Sequence, residues 1–251
     1  MGGMHLPWLK PGDPFPDPSR AWDDRQPAPG LLAAGGSLDV DTLRRAYAGG
    51  IFPWFSEGQP ILWWSTDPRM VLRTDAFRLH RSLRKTLARF ILDPACEIRF
   101  DSAFDAVIAA CATSDRPGQS GTWIVPQMVR AYSGFHRAGF AHSVETWIGG
   151  ELVAGLYCVT IGGAVFGESM FTRVPDGSKI ALAALVAWCR HAGVAMIDCQ
   201  QNTRHLASLG AAEIPRRQFV EQVARAAARD PVRWEFDPVY WNSLLPHTTT
   251  A

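Results

Sequence analysis

AHSVETWI (141–148), Gly149-Gly150, ELVAGLYCVTI (151–161), Gly162-Gly163 and AVFGESMF (164–171) follow one another without a break. Three apolar runs of strand length, parted by glycine pairs, predict a three-strand antiparallel meander, because glycine supplies the positive φ that tight hairpin turns require. Directly downstream, SKIALAALVAWCRH (178–191) reads as an apolar helix with Gly193 just beyond it. VAMIDCQ (194–200) reads as a buried strand, followed by a short helix at 203–209, another at 216–229 and a last strand near 233–236. Upstream, LHRSLRKTLARF (79–90), 102–112 and 126–138 have helical period, and CEIRF (96–100) alternates as a strand.

Helices, a meander, a helix, then a strand and a helix make an α+β order. The order resembles the N-acetyltransferase-like (acyltransferase) fold and places it at 77–251, with 1–76 as a smaller N-terminal domain. In that domain residues 1–35 read as a Pro/Gly-rich extended arm. SLDVDTLRRAYA (37–48) reads as a helix capped by Ser37, Asp39 or Asp41 and stopped by Gly49 and Gly50. IFPWFSEGQPILWWSTDPR (51–69) is too broken by Pro for a long helix and too aromatic for an ordinary loop.

The chain has 251 residues with 25 Lys+Arg against 24 Asp+Glu, so net charge does not announce a nucleic-acid binder, though a local basic face is allowed. Five scattered Cys, none spaced C-x-x-C, argue against a disulfide framework or zinc knuckle and suit a reducing cytosol. There is no His-x-x-x-His pair, no run of 18 apolar residues and no signal-peptide core at the N-terminus. No P-loop, G-x-G-x-x-G or G-x-S-x-G occurs. The expectation is a cytoplasmic, monomeric chain with no metal, cofactor or membrane partner.

Four features could carry chemistry. Trp54, Phe55, Trp63 and Trp64 form either a mini-core or a stacking platform for a base. Arg81, Arg84, Lys85 and Arg89 share one helical face, with Leu83 and Leu87 opposite and no acid in the segment; this is either a solvated face or a phosphate-binding surface. Glu168, inside the FGESMF strand, needs either an internal partner such as Arg173 or Lys179, or a cationic ligand. Asp198 and Gln200 end a hydrophobic strand two residues apart; they either cap the following turn or hold an amine and a carbonyl together. Strict alternation turns Cys199 away from them into the core.

GLLAAGGSL (30–38), YAGGIFPWFS (47–56), PILWWSTDPR (60–69), GTWI (121–124), FGESMF (166–171), IDCQ (197–200) and LASLGAAEIPRRQF (206–219) together resemble the bacterial leucyl/phenylalanyl-tRNA–protein transferases, from about Gly30 to Tyr240. The resemblance implies transfer of Leu or Phe, less readily Met, from aminoacyl-tRNA to proteins whose N-terminus is Arg or Lys, which marks them for the bacterial N-degron pathway. It implies that Trp54 and Trp123 hold the 3′-terminal adenosine. It implies an apolar pocket of Leu156, Val165, Leu182 and Leu185 for the aminoacyl side chain, and Glu168 on the acceptor side. Asp198 and Gln200 would be the catalytic pair, and the basic helix a tRNA-backbone surface.

Two other readings stand beside it. One is an acyl-coenzyme A–dependent N-acetyltransferase, against which the segment RVPDGSKIAL (173–182) lacks the Q/R-x-x-G-x-G/A pyrophosphate loop. The other is a non-catalytic RNA- or peptide-binding module on the same fold.

Overall fold

The computed structural model describes residues 6–114 and 124–245. Its first part is a four-stranded sheet of β1 (Trp8–Leu9), β2 (Leu31–Gly35), β3 (Phe52–Pro53) and β4 (Leu62–Trp64), in the order β1-β2-β4-β3. The expected arm is thus held at Trp8–Leu9 and at Leu31–Gly35, with β1 parallel to β2. Helix α1 (Val40–Ala48) lies between β2 and β3 in the chain. Of the three predicted caps, Asp39 is the one used, accepting from Thr42 N at 2.9 Å.

β5 (Arg69–Arg73) leaves this sheet for a larger one. The rest of the chain runs α2 (Arg81–Leu92), β6 (Cys96–Phe100), α3 (Phe104–Thr113), α4 (Pro126–Arg137), β7 (Ala141–Ile148), β8 (Glu151–Ile161), β9 (Ala164–Thr172), α5 (Gly177–His191), β10 (Met196–Gln200), α6 (Arg204–Ser208), β11 (Ala212–Ile214) and α7 (Arg216–Ala227). The seven-stranded sheet has the order β11-β5-β10-β9-β8-β7-β6. The α+β order is the expected one, and β7, β8 and β9 are the antiparallel meander, turning at Gly149 and Gly150 (φ 60° and 81°) and at Gly162 (φ 56°). β5 precedes residue 76 yet is built into this sheet beside β10 and β11.

The sheet separates two cores, and strand alternation decides which side chain joins which. Tyr157 and Val159 of β8 and Phe166 of β9 pack with Phe104, Tyr132 and Phe135 of α3 and α4. Leu156 and Cys158 of β8 and Val165 of β9 pack with Leu182, Leu185 and Trp188 of α5. α5 is apolar almost all round because the sheet covers one side and the C-terminal segment the other.

One expected element is absent: 233–236 forms no strand. Trp234 and Phe236 alternate as a strand would, but their rings stack on Phe100 at 4.7 and 5.4 Å, and the Arg233 carbonyl accepts from Trp188 Nε1 at 3.1 Å. Aromatic packing on α5, rather than a backbone ladder, holds the segment.

Candidate active site

β10 is parallel to β9 for two residues only, Ile197 opposite Val165 and Asp198 opposite Phe166. Beyond that pair β9 continues to Thr172, while β10 bulges between Asp198 and Gln200 and ends. The gap opens a cleft of about 340 Å³, within the usual range for small-molecule sites. Residues of both cores line it, so it passes through the sheet. On the α5 side lie Leu156, Leu182 and Leu185; on the other lie Tyr157, Phe52 and Trp54; Glu168 and Gln200 stand at the parting strands.

Six residues singled out in the sequence meet here: Trp54, Leu156, Glu168, Leu182, Leu185 and Gln200. Trp63 is the core member of the aromatic run, fully buried with its Nε1 donating to Gly35 O at 2.9 Å. Trp64 braces the cleft-lining Trp54 edge-on at 5.4 Å and donates from Nε1 to the Trp54 carbonyl at 2.7 Å. Val165 does not line this cleft; it is buried in the α5 core one strand position from Phe166. Trp123 lies outside the described residues.

Glu168 pairs with neither Arg173 nor Lys179. Arg173 donates to the Leu152 carbonyl and Lys179 to Asp176. Two tyrosines hold Glu168 instead: Tyr47 donates to Oε1 at 2.8 Å, Tyr132 bonds Oε2 at 3.3 Å, and the two hydroxyls bond each other, a ring of three bonds whose third hydrogen is the carboxyl's own. Burial, with the charge of Asp198 adding to it, pushes the Glu168 carboxyl up to about 8 against the opposing pull of these hydroxyls and Arg69. Burial and the same carboxylate raise both tyrosines well above the ordinary phenol. Tyr47 lies in the quoted YAGGIFPWFS motif, but nothing in its spacing told that its hydroxyl would meet a strand 121 residues away.

Asp198 is buried and does not touch the cleft. Arg69 holds it in a two-pronged pair, Nε to Oδ1 at 2.7 Å and Nη2 to Oδ2 at 2.6 Å. The same carboxylate accepts from Gln200 N at 3.0 Å and Gln200 Nε2 at 3.3 Å. Gln200 sits at φ 54°, a left-handed conformation that L-residues seldom adopt. Cys199 keeps the expected alternation: it packs against the α5 core on the side opposite Asp198, and there it also lines the cleft beside Gln200. Burial and the adjacent Asp198 push the Cys199 thiol far up, so it is no ready nucleophile.

The cations of the basic helix stay outside the cleft. Arg81, Arg84, Lys85 and Arg89 are exposed along α2 while Leu83, Leu87 and Phe90 are buried beneath. None of the four forms an ion pair among the described residues. His80, just before the helix, bonds the Ser208 carbonyl at 2.7 Å and so ties the stripe to α6, whose His205 and Leu206 form the cleft rim. Twelve helical residues extend the stripe about 18 Å from that point.

Asp101, His136 and His142 also bring ligand-type atoms within 4.8 Å of one another. They are engaged locally: His142 Nδ1 bonds Asp101 at 2.7 Å, Ser143 N donates to the same carboxylate, and His136 Nδ1 bonds Ala141 O. His142 stacks on Trp234 at 4.5 Å, so the cluster fastens the C-terminal segment to β7.

A substrate-sized cleft where two parallel strands part marks the chain as an enzyme of the group-transferring kind. The chain belongs to the leucyl/phenylalanyl-tRNA–protein transferase family of aminoacyltransferases. Residues 71–224 match that family and residues 36–67 match its N-terminal domain. The relative from Polaromonas sp. (strain JS666) that bears the family name is 64% identical over 96% of this chain and 94% of its own. Those from Leptothrix cholodnii and Burkholderia thailandensis are 57% identical, over 95% of both chains, and 54% identical, over 98% and 96%. Among solved structures, FemX overlaps 73% of this chain and 71% of its own with a TM-score of 0.41 and 10% identity.

Proposed function

We propose that this enzyme transfers leucyl or phenylalanyl groups, and methionyl less readily, from aminoacyl-tRNA to the α-amine of proteins beginning with Arg or Lys. The products would enter the N-degron pathway. One observation carries the reading: the cleft crosses the sheet, with an apolar end under α5 and a carboxyl end at Glu168. The two ends suit an apolar aminoacyl side chain and a cationic acceptor side chain.

In this reading Trp54 stacks on the terminal adenine, and Trp123 is its assigned counterpart. Leu156, Leu182 and Leu185 take the Leu or Phe side chain, with Val165 supporting them from the core. Glu168, once ionised, faces the Arg or Lys side chain. Arg81, Arg84, Lys85 and Arg89 meet the tRNA backbone. The donor ester is already activated, and an α-amine with a pKa of about 7.7–8.0 is substantially neutral near pH 8. No cofactor is required. What remains is orientation, which is worth about 7–11 kcal/mol in well-placed reactants.

The Asp198–Gln200 pair supplies that orientation. Asp198 has its oxygens filled by Arg69 and Gln200, so it acts through Gln200 rather than on the amine directly. A carboxylate only accepts, so the Gln200 nitrogen must face it and Oε1 must face away. That oxygen accepts from the incoming amine and sets it against the ester carbonyl.

Five cysteines without disulfides suit a cytoplasmic setting, and no helix among the described residues is long and apolar enough to cross a membrane. A monomer is the expected state. The test is a pair of acceptor proteins identical except for the first residue. An Arg-starting protein should be labelled by Phe-tRNA and a Glu-starting one should not; equal labelling would remove Glu168 from acceptor choice.

A further inference from the structure

We propose that Arg69 is a positioning residue for the transfer step, acting through Asp198 to hold Gln200 and, at the same time, the segment that carries Trp54. The proposal rests on the reading of Gln200 given above.

Arg69 opens β5 and is 0% exposed. Its guanidinium has two faces and an edge, and all are used. The edge grips both oxygens of Asp198 at 2.7 and 2.6 Å, and Nη1 reaches Gly50 O at 3.4 Å. The faces lie against the rings of Phe52 at 4.6 Å and Phe219 at 4.4 Å. Two ring contacts together with the two-pronged grip on Asp198 hold a planar fork to one orientation.

Two sides of the cleft meet on this one group. Gly50 and Phe52 belong to the stretch that runs into Trp54, the platform for the donor nucleotide. Asp198 belongs to the strand that ends in Gln200 and locks that residue by both its backbone N–H and its side-chain amide. Gln200 at φ 54° relaxes to ordinary backbone unless something over-determines it. The doubly gripped carboxylate is that something. Arg69 therefore sets the distance between the donor platform and the amide that meets the amine, although it touches neither substrate.

A residue that orients, without adding to substrate affinity, lowers kcat and leaves KM alone. Arg69→Lys keeps the buried charge but loses the fork, so Asp198 and hence Gln200 are freed. The expected result is a folded enzyme with kcat reduced about a hundredfold, the cost of roughly an ångström of misplacement, and a KM for Phe-tRNA within about threefold of wild type. In a Gln200→Ala background the same substitution should change kcat by less than about twofold, because the amide whose distance from the donor platform Arg69 sets is no longer there. Additive losses, or wild-type kcat in a folded Arg69→Lys, overturn the proposal. If Arg69→Lys does not fold, Phe219→Leu decides: a kcat loss at unchanged KM, again absent in the Gln200→Ala background, supports it, and unchanged kcat overturns it. Gln200→Ala alone separates the two readings. Full kcat there would overturn the role given to Gln200, whereas a large loss there with a normal Arg69→Lys would overturn only the role of Arg69.

Discussion

Tyr47 donates its hydroxyl to Glu168 Oε1 at 2.8 Å, across 121 residues of chain. A side chain of the first helix thus bonds a carboxyl at the centre of the large sheet and pulls against the burial that keeps it protonated. The tyrosines satisfy both oxygens in either protonation state, since a phenol can donate to a carboxylate or accept from a carboxylic acid. In the proposed reading, Glu168 waits as a neutral acid and ionises when the cationic acceptor arrives.

Acceptor use should carry the titration of Glu168. Its carboxyl is raised to about 8, so it is mostly protonated at neutral pH and ionises as pH rises through that value. The KM for an Arg-starting acceptor should fall as pH climbs from roughly 6.5 to 9, and the advantage of wild type over Glu168→Gln should widen over the same range. The α-amine titrates in both proteins, so the ratio isolates Glu168. Stability moves oppositely: the native state keeps a proton that the unfolded chain sheds above 4.5, so Glu168 lowers stability as pH rises from there toward about 8. Melting curves of Glu168→Gln should lack that component. A pH-independent ratio of KM values would contradict the assignment.

Trp54→Ala should weaken the donor without unfolding the protein. The indole is only half-buried, and the Trp64 bond goes to the Trp54 carbonyl, which survives substitution. Loss of one stacked base, about 1–3 kcal/mol, raises KM for Phe-tRNA roughly five- to a hundredfold, with acceptor KM unchanged. Steady-state kinetics with each substrate varied in turn check this.

Enlarging the apolar end should change donor choice. Leu182 lines the cleft and is nearly buried, so Leu182→Ala costs about 2–5 kcal/mol of stability and lowers Tm. It should also raise kcat/KM for Phe-tRNA relative to Leu-tRNA about tenfold, since apolar pockets discriminate by about 1–3 kcal/mol per methylene. Competition between the two donors measures the ratio; an unchanged ratio would place the aminoacyl side chain elsewhere.

The α2 stripe predicts salt sensitivity. Removing one cation that neutralises a tRNA phosphate should reduce the slope of log affinity against log salt by about 1 or slightly less. Arg84→Ala and Lys85→Ala, at exposed positions without ion pairs among the described residues, should each flatten the slope while leaving Tm within a degree or two. Filter binding of tRNA across salt concentrations gives the slope.

Much of the fold was legible because it is written in local pattern. Glycine pairs announced the meander, and the Leu83–Leu87 spacing announced which side of the basic helix faces in. The misses have physical causes. Trp234 and Phe236 alternate like a strand but are held by ring packing that no period reveals. Alternation placed Cys199 against the α5 core, but it could not tell that a bulge between Asp198 and Gln200 would open a cleft beside it. At the site, acids at strand ends could be recognised as needing partners, but the partners Arg69, Tyr47 and Tyr132 come from distant segments. Which cation pairs with which acid is decided by sheet order, and sheet order is not a local property.

The most direct measurement mixes the purified protein with labelled Phe-tRNA or Leu-tRNA and a protein beginning with Arg, with no ATP, metal or coenzyme A added. Label should appear in acid-insoluble protein after the tRNA is hydrolysed, and it should sit on the acceptor's first residue. Label that stays with intact tRNA while the protein binds it would contradict transfer and leave a binding module on this fold.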